Sequence, residues 1–248
     1  MVLAEYLNPG ILLHLMTKIC FISDTHGMHM GLQLPDADIL VHCGDFSNRG
    51  TYLDAVKFVN WFGAQPHRHK VFIAGNHDLY LEQGNPSDID MFLKTMPSSV
   101  CYLNDSGVDI EGIKFWGSPV QPRFFNWAFN RDRGADIKKH WDLIPDGIDV
   151  LITHGPPYKL CDEAPRVNKL LWNESNYEHT GCKDLLEAID RVKPKIHAFG
   201  HIHIAYGKRF VNNVHYFNAS ICNEGYQPVN KPYLVDLNGA SVNIIDLL

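Results

Sequence analysis

No CxxC pair and no other close spacing occurs among the six cysteines, at positions 20, 43, 101, 161, 182 and 222. That pattern speaks against both a zinc knuckle and a disulfide framework. Cys20 and Cys43 lie inside apolar runs, where a reduced thiol packs as a small hydrophobe, and this usage predicts a reducing, cytoplasmic setting. A basic excess is missing too: the formal net charge is −6, which argues against a dedicated binder of long nucleic acids. The local run "HRHK" (67–70) then reads as a solvated turn. The apolar N-terminal stretch "MVLAEYLNPGILLHLMTK" is split by Pro9 and Gly10 and has no leading positive charge, so neither a signal peptide nor a membrane span is expected. It reads as an N-terminal extension over residues 1–17, ahead of one domain over 18–248. Repeats, low-complexity tracts and long linkers are also lacking.

What is present is ordinary for a globular domain: 248 residues, 45% hydrophobic and 20% charged, enough chain to bury a sizeable core. One local arrangement recurs five times, a short apolar run that ends abruptly in polar residues beside glycine. "KICFIS" leads into "DTHG", "DILVHC" into "GD", "KVFIA" into "GNHD", "DVLIT" into "HGPP", and "KIHAF" into "GHIH". Helical periods lie between several of these runs. Residues 51–65 carry Leu53, Val56, Val59 and Phe62 on one face with Phe58 broadening it, and 182–194 carry Leu185, Leu186, Ile189 and Val192 before a proline stop. The last third turns β-rich, with a hairpin predicted around Asn212 and Asn213 and another around Asn238 and Gly239. Together these predict an α/β fold, a four-layer α/β/β/α sandwich of two mixed β-sheets flanked by helices. In such folds ligands collect beyond the carboxyl ends of the strands, where all five polar clusters fall.

The clusters supply Asp24, His26, Asp45, Asn76, His77, Asp78, His154, His201 and His203. Each alone has a bland explanation as a cap, a turn former or a hydrogen-bonded histidine; their coincidence at five strand ends does not. Of fourteen histidines, five lie in the clusters, and the nine at 14, 29, 42, 67, 69, 140, 179, 197 and 215 serve as a control. His42, His197 and His215 sit within predicted strands and are expected to pack or hydrogen-bond. Carboxylates, imidazoles and an amide oxygen without thiolates suit Mn²⁺, Fe or Zn²⁺ in a catalytic rather than a Cys-based structural site. More donors are on hand than one ion needs, and two ions, roughly 3.5–4 Å apart in two-metal hydrolases, would share them through a bridging carboxylate and make hydroxide available near neutral pH. His201 and His203, two apart, would point to opposite faces of a continuing strand. That suits two ions better than one if the strand ends near Gly200.

The ordered series "DTH", "GD", "GNHD", "H" before "GPP", and "GHIH" resembles the calcineurin-like metallophosphoesterase superfamily, whose blocks are DxH, GD, GNH(D/E), H and GHxH. All five are present in order from Asp24 to His203. The surrounding "FISDTHG", "HCGDFS", "THGPP", "GCKDLLEAI" and "FGHIH" further resemble the small metallophosphoesterase-domain proteins of animal brain and their microbial relatives. The resemblance implies that Asp24, His26 and His203 hold one metal, that Asn76, His154 and His201 hold a second, and that Asp45 bridges. It gives His77 the role of contacting phosphate and protonating the leaving oxygen, with Asp78 orienting it and favouring the imidazolium. The implied activity is metal-dependent hydrolysis of small phosphodiesters, cyclic nucleotides among them, by a hydroxide bridging two divalent or mixed-valence ions. The alternatives are a phosphomonoesterase (nucleotidase or protein phosphatase), more remotely a nuclease, or a low-activity scaffold retaining the fold. The expected partner is a small phosphoester or nucleotide, with no membrane and with homo-oligomerisation left open.

Three further segments bear on the site. Residues 116–141 crowd Phe124, Phe125, Trp127 and Phe129 between Arg123 and Arg131, either as a wall that stacks on a base or as packing or a subunit contact. Residues 156–181 are long enough for a lid, or form a surface insertion. "FNAS" (217–220) either approaches the site through Asn218 or is a plain turn.

Overall fold

The computed structural model describes residues 17–166, 177–239 and 241–247. Except for Thr17, the expected N-terminal extension lies outside the described residues, as does the middle of the 156–181 segment. In chain order the first part comprises β1 (Thr17–Ile22), β2 (Ile39–His42), α1 (Tyr52–Gly63), β3 (His69–Phe72), α2 (Tyr80–Gln83), α3 (Pro86–Lys94) and β4 (Val100–Tyr102). There follow β5 (Ser106–Ile110), β6 (Ile113–Ser118), β7 (Gln121–Pro122), β8 (Asn130–Arg131), α4 (Ala135–Trp141), β9 (Val150–Thr153), β10 (Glu163–Pro165) and β11 (Tyr177–His179). The last part is α5 (Lys183–Val192), β12 (Ile196–Phe199), β13 (Gly207–Val211), β14 (Val214–Asn218), β15 (Tyr233–Asn238) and β16 (Ser241–Ile245).

Side chains alternate across each strand, and here both faces are apolar, so each sheet must be covered twice. One sheet runs β16-β15-β1-β2-β3-β4 and the other β13-β14-β12-β9-β6-β5. Both are mixed: β1 to β4 are parallel with β15 antiparallel to β1, and β14, β12, β9 and β6 are parallel with antiparallel β13 and β5 at the edges. Ile19 and Phe21 of β1 meet Val150, Ile152, Ile196 and Ala198 of the other sheet in the central core. Cys20 and Ile22 turn outward onto Phe58 and Phe62 of α1. On the opposite outer face, Leu151 and Phe199 pack on Leu185 and Ile189 of α5 and Trp141 of α4. The layers are therefore helix, sheet, sheet, helix, as expected from the alternation of elements.

Thr51 caps α1 through a reciprocal box with Asp54. The buried face is Ala55, Phe58, Val59 and Phe62, while Leu53, expected to join it, is 63% exposed. Each i+3 step falls about 60° short of a full turn, so the chain Leu53, Val56, Val59, Phe62 drifts around the helix and its first member leaves the core. α5 buries Leu185, Ala188, Ile189 and Val192 and leaves Leu186 half-buried. Asn212 and Asn213 make the β13–β14 turn, both at positive φ. In the second hairpin Asn238 pairs with Ser241, which puts the turn one residue later than expected.

No helix among the described residues is long and apolar enough to cross a membrane, and all six cysteines are free. The topology also delivers β1, β2, β3, β9 and β12 to one edge by their carboxyl ends. There the segment after β14 crosses between sheets, with Ala219 donating to Phe199 O and Ile221 to Ser23 O.

Candidate metal centre

Beyond those five strand ends the chain turns sharply, and four of the candidate residues sit in the left-handed region: Asp24 (φ 51°), His26 (43°), Asp45 (55°) and His201 (70°). Such conformations cost free energy in non-glycine residues and persist where surrounding bonds impose them. Here those bonds join successive loops. Asp24 N donates to Gly44 O, His26 N to Asp45 O, and Gly200 N to His154 O, at 2.9, 3.0 and 2.9 Å. Gly200 is required by proximity, since a Cβ there would collide with the Asp24 carboxylate and Ser23 Oγ.

Three overlapping groups of donors result, each with its ligand atoms within 4.8 Å of one another: Asp24, His26 and His203; His26, Asp45 and His77; and Asp45, His154 and His201. None of the control histidines among the described residues enters such a group. His42 instead bonds Thr25 Oγ1 and accepts from Gly44 N, and His197 bonds Thr153 Oγ1. The strand β12 does stop before the histidines, and the turn beyond it sends them to different groups, His201 toward His154 and Asp45, His203 toward Asp24 and His26.

Backbone carbonyls fix the imidazole tautomers. His154 Nδ1 donates to Cys43 O and His203 Nδ1 to Asn223 O, both at 3.0 Å. The Nε2 lone pairs therefore face inward, an arrangement typical of metal-binding histidines. His203 Nε2 is 3.1 Å from His26 Nε2 and 3.3 Å from Asp24 Oδ1. His154 Nε2 is 2.9 Å from Asn76 Oδ1 and 3.4 Å from Asp45 Oδ2. So many inward acceptors repel one another unless positive charge lies among them, and the residues fit a pair of cations.

Without ions the two carboxylates draw protons to this place instead, which cations binding there would displace. Burial depresses His154 and His203, but the Asp45 charge and hydrogen bond lift the first to about 9, and the hydrogen bond and charge of Asp24 lift the second to about 9. Burial would raise the Asp24 carboxyl, yet His203, with His154 and His26 nearby, holds it well below its ordinary range. Asp45 is likewise held down against burial, mainly by His154. Burial dominates at His26 and His201, pushing them down to about 4 and about 3, the neutral form a metal ligand needs.

Asp78 departs from expectation. Its Oδ1 accepts from Ser47 N and Oγ at 3.0 and 2.7 Å, and its Oδ2 from Gly75 N at 2.8 Å. The group bonded to His77 Nδ1 is instead the carbonyl of Asn48, at 3.1 Å. Asp78 ties the loop after β2 to the loop after β3, and burial together with the Asp45 charge pushes its carboxyl up to about 8. The physical reason is reach: adjacent residues in the turn after β3 diverge, so the carboxylate closes its own turn while the imidazole faces Asp45.

Part of the aromatic segment reaches the site and part packs in the core. Trp127 stacks on His77 at 4.2 Å and 29°, and Phe124 stands edge-on to His201 at 6.0 Å. Phe129 fills the core. The arginines are engaged elsewhere, Arg123 with Asp132 and Arg131 with Glu82. Within 156–181, β10 and β11 pair as a two-stranded ribbon.

Two contributions had no signal in the sequence. Tyr226, at positive φ, stands 4.7 Å from His26 and 5.6 Å from His203 ring to ring. Ser220, inside the "FNAS" stretch, places Oγ 2.8 Å from Asp24 Oδ2 and 2.7 Å from Asn218 Oδ1. A hydroxyl has one proton, and the charged acceptor takes it. Asn218 thus stands behind the site rather than in it. Ser220→Ala removes one donor from Asp24 and is expected to weaken metal binding about tenfold to a hundredfold, read by titration with Mn²⁺; unchanged affinity would show that the remaining contacts, His201 N to both Asp24 oxygens and His203 Nε2 to Oδ1, suffice to fix the carboxylate.

With this geometry in place, the calcineurin-like phosphoesterase profile matches residues 17–205, and the human "Metallophosphoesterase domain-containing protein 1" is 37% identical over 240 residues, covering 89% of this chain and 71% of the relative. The chain belongs to the calcineurin-like phosphoesterase family. Another relative, "UPF0046 protein K07C11.7" of Caenorhabditis elegans, is 35% identical over 224 residues, 87% of this chain and 73% of that protein. The fold is also that of the solved TT1561 of Thermus thermophilus, with TM-score 0.56 at 11% identity over 93% of this chain and 99% of that one. For a calcineurin-like phosphoesterase, the sequence blocks and the donor groups coincide: every residue in the three groups comes from a strand-end cluster.

Proposed function

We propose that this chain hydrolyses small phosphodiesters, cyclic nucleotides among them, with two bound metal ions, Mn²⁺ or Fe in preference to Zn²⁺. The observation that carries the reading is the position of Asp45 Oδ2, 3.8 Å from His26 Nε2 and 3.4 Å from His154 Nε2, common to two donor sets. When bound, such ions neutralise phosphate oxygens and activate water. Asp24, His26 and His203 would hold one, Asn76, His154 and His201 the other, with Asp45 available to both. His77, with Nδ1 committed to Asn48 O and its plane set by Trp127, presents Nε2 to the phosphate; as imidazolium it delivers that proton to the leaving oxygen.

Cavity shape supports a small diester. A cavity of about 240 Å³ touches Asp45, Asn76, His77, His203 and Tyr226, room for a phosphoryl group. It shares Phe124, His201 and Ile202 with a cleft of about 1020 Å³, room for an organic substituent. Lys183 and Arg133 in that cleft are offset by Asp184 and Glu187, which suits a small ligand better than a long polyanion.

The test is turnover of the Mn²⁺-loaded protein with bis-p-nitrophenyl phosphate, p-nitrophenyl phosphate and 2′,3′- and 3′,5′-cyclic nucleotides. Hydrolysis of the diesters is expected to exceed that of the monoester. Turnover confined to p-nitrophenyl phosphate would replace the diester reading with a monoesterase, and none with Mn²⁺, Fe or Zn²⁺ would leave a scaffold.

A further inference from the structure

We propose that a second groove, lined by Phe46, Trp61 and Met30 and edged by Arg49 and Lys57, binds an amphipathic organic anion and through residues 47–49 tunes the setting of His77. The binding half stands on the groove alone; the tuning half rests on the role proposed for His77. The groove holds about 750 Å³ and shares no lining residue with the cavity at the metal centre. That volume is within the range of small-molecule sites.

Its chemistry is two-sided. Trp61 is partly buried and leans on His29 and Phe58 at 4.8 and 6.2 Å between ring centres, so it offers a flat apolar wall, and Met30 lies at the rim, 74% exposed. His29 is buried, and its Nδ1 has no hydrogen-bond partner among the described residues. Arg68, Arg131 and Arg191 are paired with Glu111, Glu82 and Asp146. Arg49 and Lys57, by contrast, enter no ion pair among the described residues, and both are exposed at the groove. One acid, Asp54, lines it as well; its Oδ2 accepts from Thr51 N and Oγ1 in the helix cap, so the two cations outnumber it. An apolar wall beside two uncommitted cations selects a ligand with a flat hydrophobic body and one anionic head.

The same short segment faces both places. Asn48 and Ser47 line the groove, while Asn48 O accepts from His77 Nδ1 and Ser47 Oγ donates to Asp78 Oδ1. Gly50 sits so close under His77 O and Leu79 N that a Cβ there would collide with both, so residues 48–50 cannot shift without disturbing His77. An anion that draws Arg49 toward the groove pulls on Asn48 and loosens the bond that sets the His77 ring.

The probe is 2-naphthalenesulfonate, a flat, non-hydrolysable anion, titrated calorimetrically into the metal-loaded protein. One saturable site is expected, weakened about tenfold in each of Arg49→Ala and Lys57→Ala, exposed positions whose loss leaves the fold alone. Saturation is expected to lower kcat for a cyclic nucleotide, whose leaving alkoxide needs the His77 proton, about fivefold with KM unchanged, and to shift the His77 ring resonances by NMR of the protein loaded with diamagnetic Zn²⁺. Absence of a saturable site, or unweakened binding in both variants, overturns the site. A rise in KM at constant kcat puts the probe in the metal centre and overturns it equally. Binding with unmoved His77 resonances and kcat overturns the tuning. Calorimetry and NMR need no turnover, so an inactive protein that still binds the probe refutes the hydrolase reading and not the groove.

Discussion

Asp45→Asn is expected to cut kcat by on the order of 10³-fold and to reduce the metal content from two ions per chain to one or none, measured by elemental analysis after equilibration with Mn²⁺. The substitution keeps size and shape, so the argument turns on lone pairs and charge. Asp45 Oδ1 accepts from His77 N at 2.7 Å; an asparagine must keep its carbonyl oxygen there, because an amide nitrogen opposite an N–H would be donor against donor. The amide NH₂ then occupies the place of Oδ2, between His26 Nε2 and His154 Nε2, where it donates to imidazoles and offers nothing to a cation. The negative charge that lifts His154 to about 9 against burial, and that would attract the cations, is lost as well. Two retained ions with near-normal turnover would mean that Asp45 bridges nothing.

The parts of this protein legible in its sequence are those governed by local period and by glycine-bounded strand ends. Two-residue alternation in Ile19, Cys20, Phe21 and Ile22 is enough to require apolar layers on both sides of β1, and the five strand-end clusters are enough to bring Asp24, Asp45, Asn76, His154 and His201 to one edge. What escaped lies in contacts without a local signature. Ser220 meets Asp24 across 196 positions, and His77 is held by a backbone carbonyl, which any residue at 48 supplies. Adjacency misled at Asp78, since neighbours in a turn diverge, and spacing misled at Leu53, where an i+3 series falls short of a 3.6-residue turn. Tyr226 could not be read at all: an exposed aromatic in a polar loop has no pattern, and only the fold puts its ring against His26.

His77→Ala is expected to lower kcat by about 10²- to 10⁴-fold for substrates with alkoxide leaving groups while leaving both metals bound. The split follows from position. His77 belongs to the group with His26 and Asp45 but is absent from the two that pair each ion's proposed ligands, Asp24 with His203 and His154 with His201. Its Nδ1 is spent on Asn48 O and its face on Trp127, which leaves Nε2 free to meet phosphate. Proton donation matters in proportion to the basicity of the departing oxygen. The loss should therefore be largest for a cyclic nucleotide, whose ribose alkoxide leaves badly, and much smaller for bis-p-nitrophenyl phosphate, whose phenolate needs no proton. An equal loss on both would assign His77 to binding the phosphate alone, and a loss of one ion by elemental analysis would move it among the metal ligands. Trp127→Ala offers the complementary reading: with the ring plane no longer braced, the same dependence on leaving group should appear in milder form, with metal content unchanged.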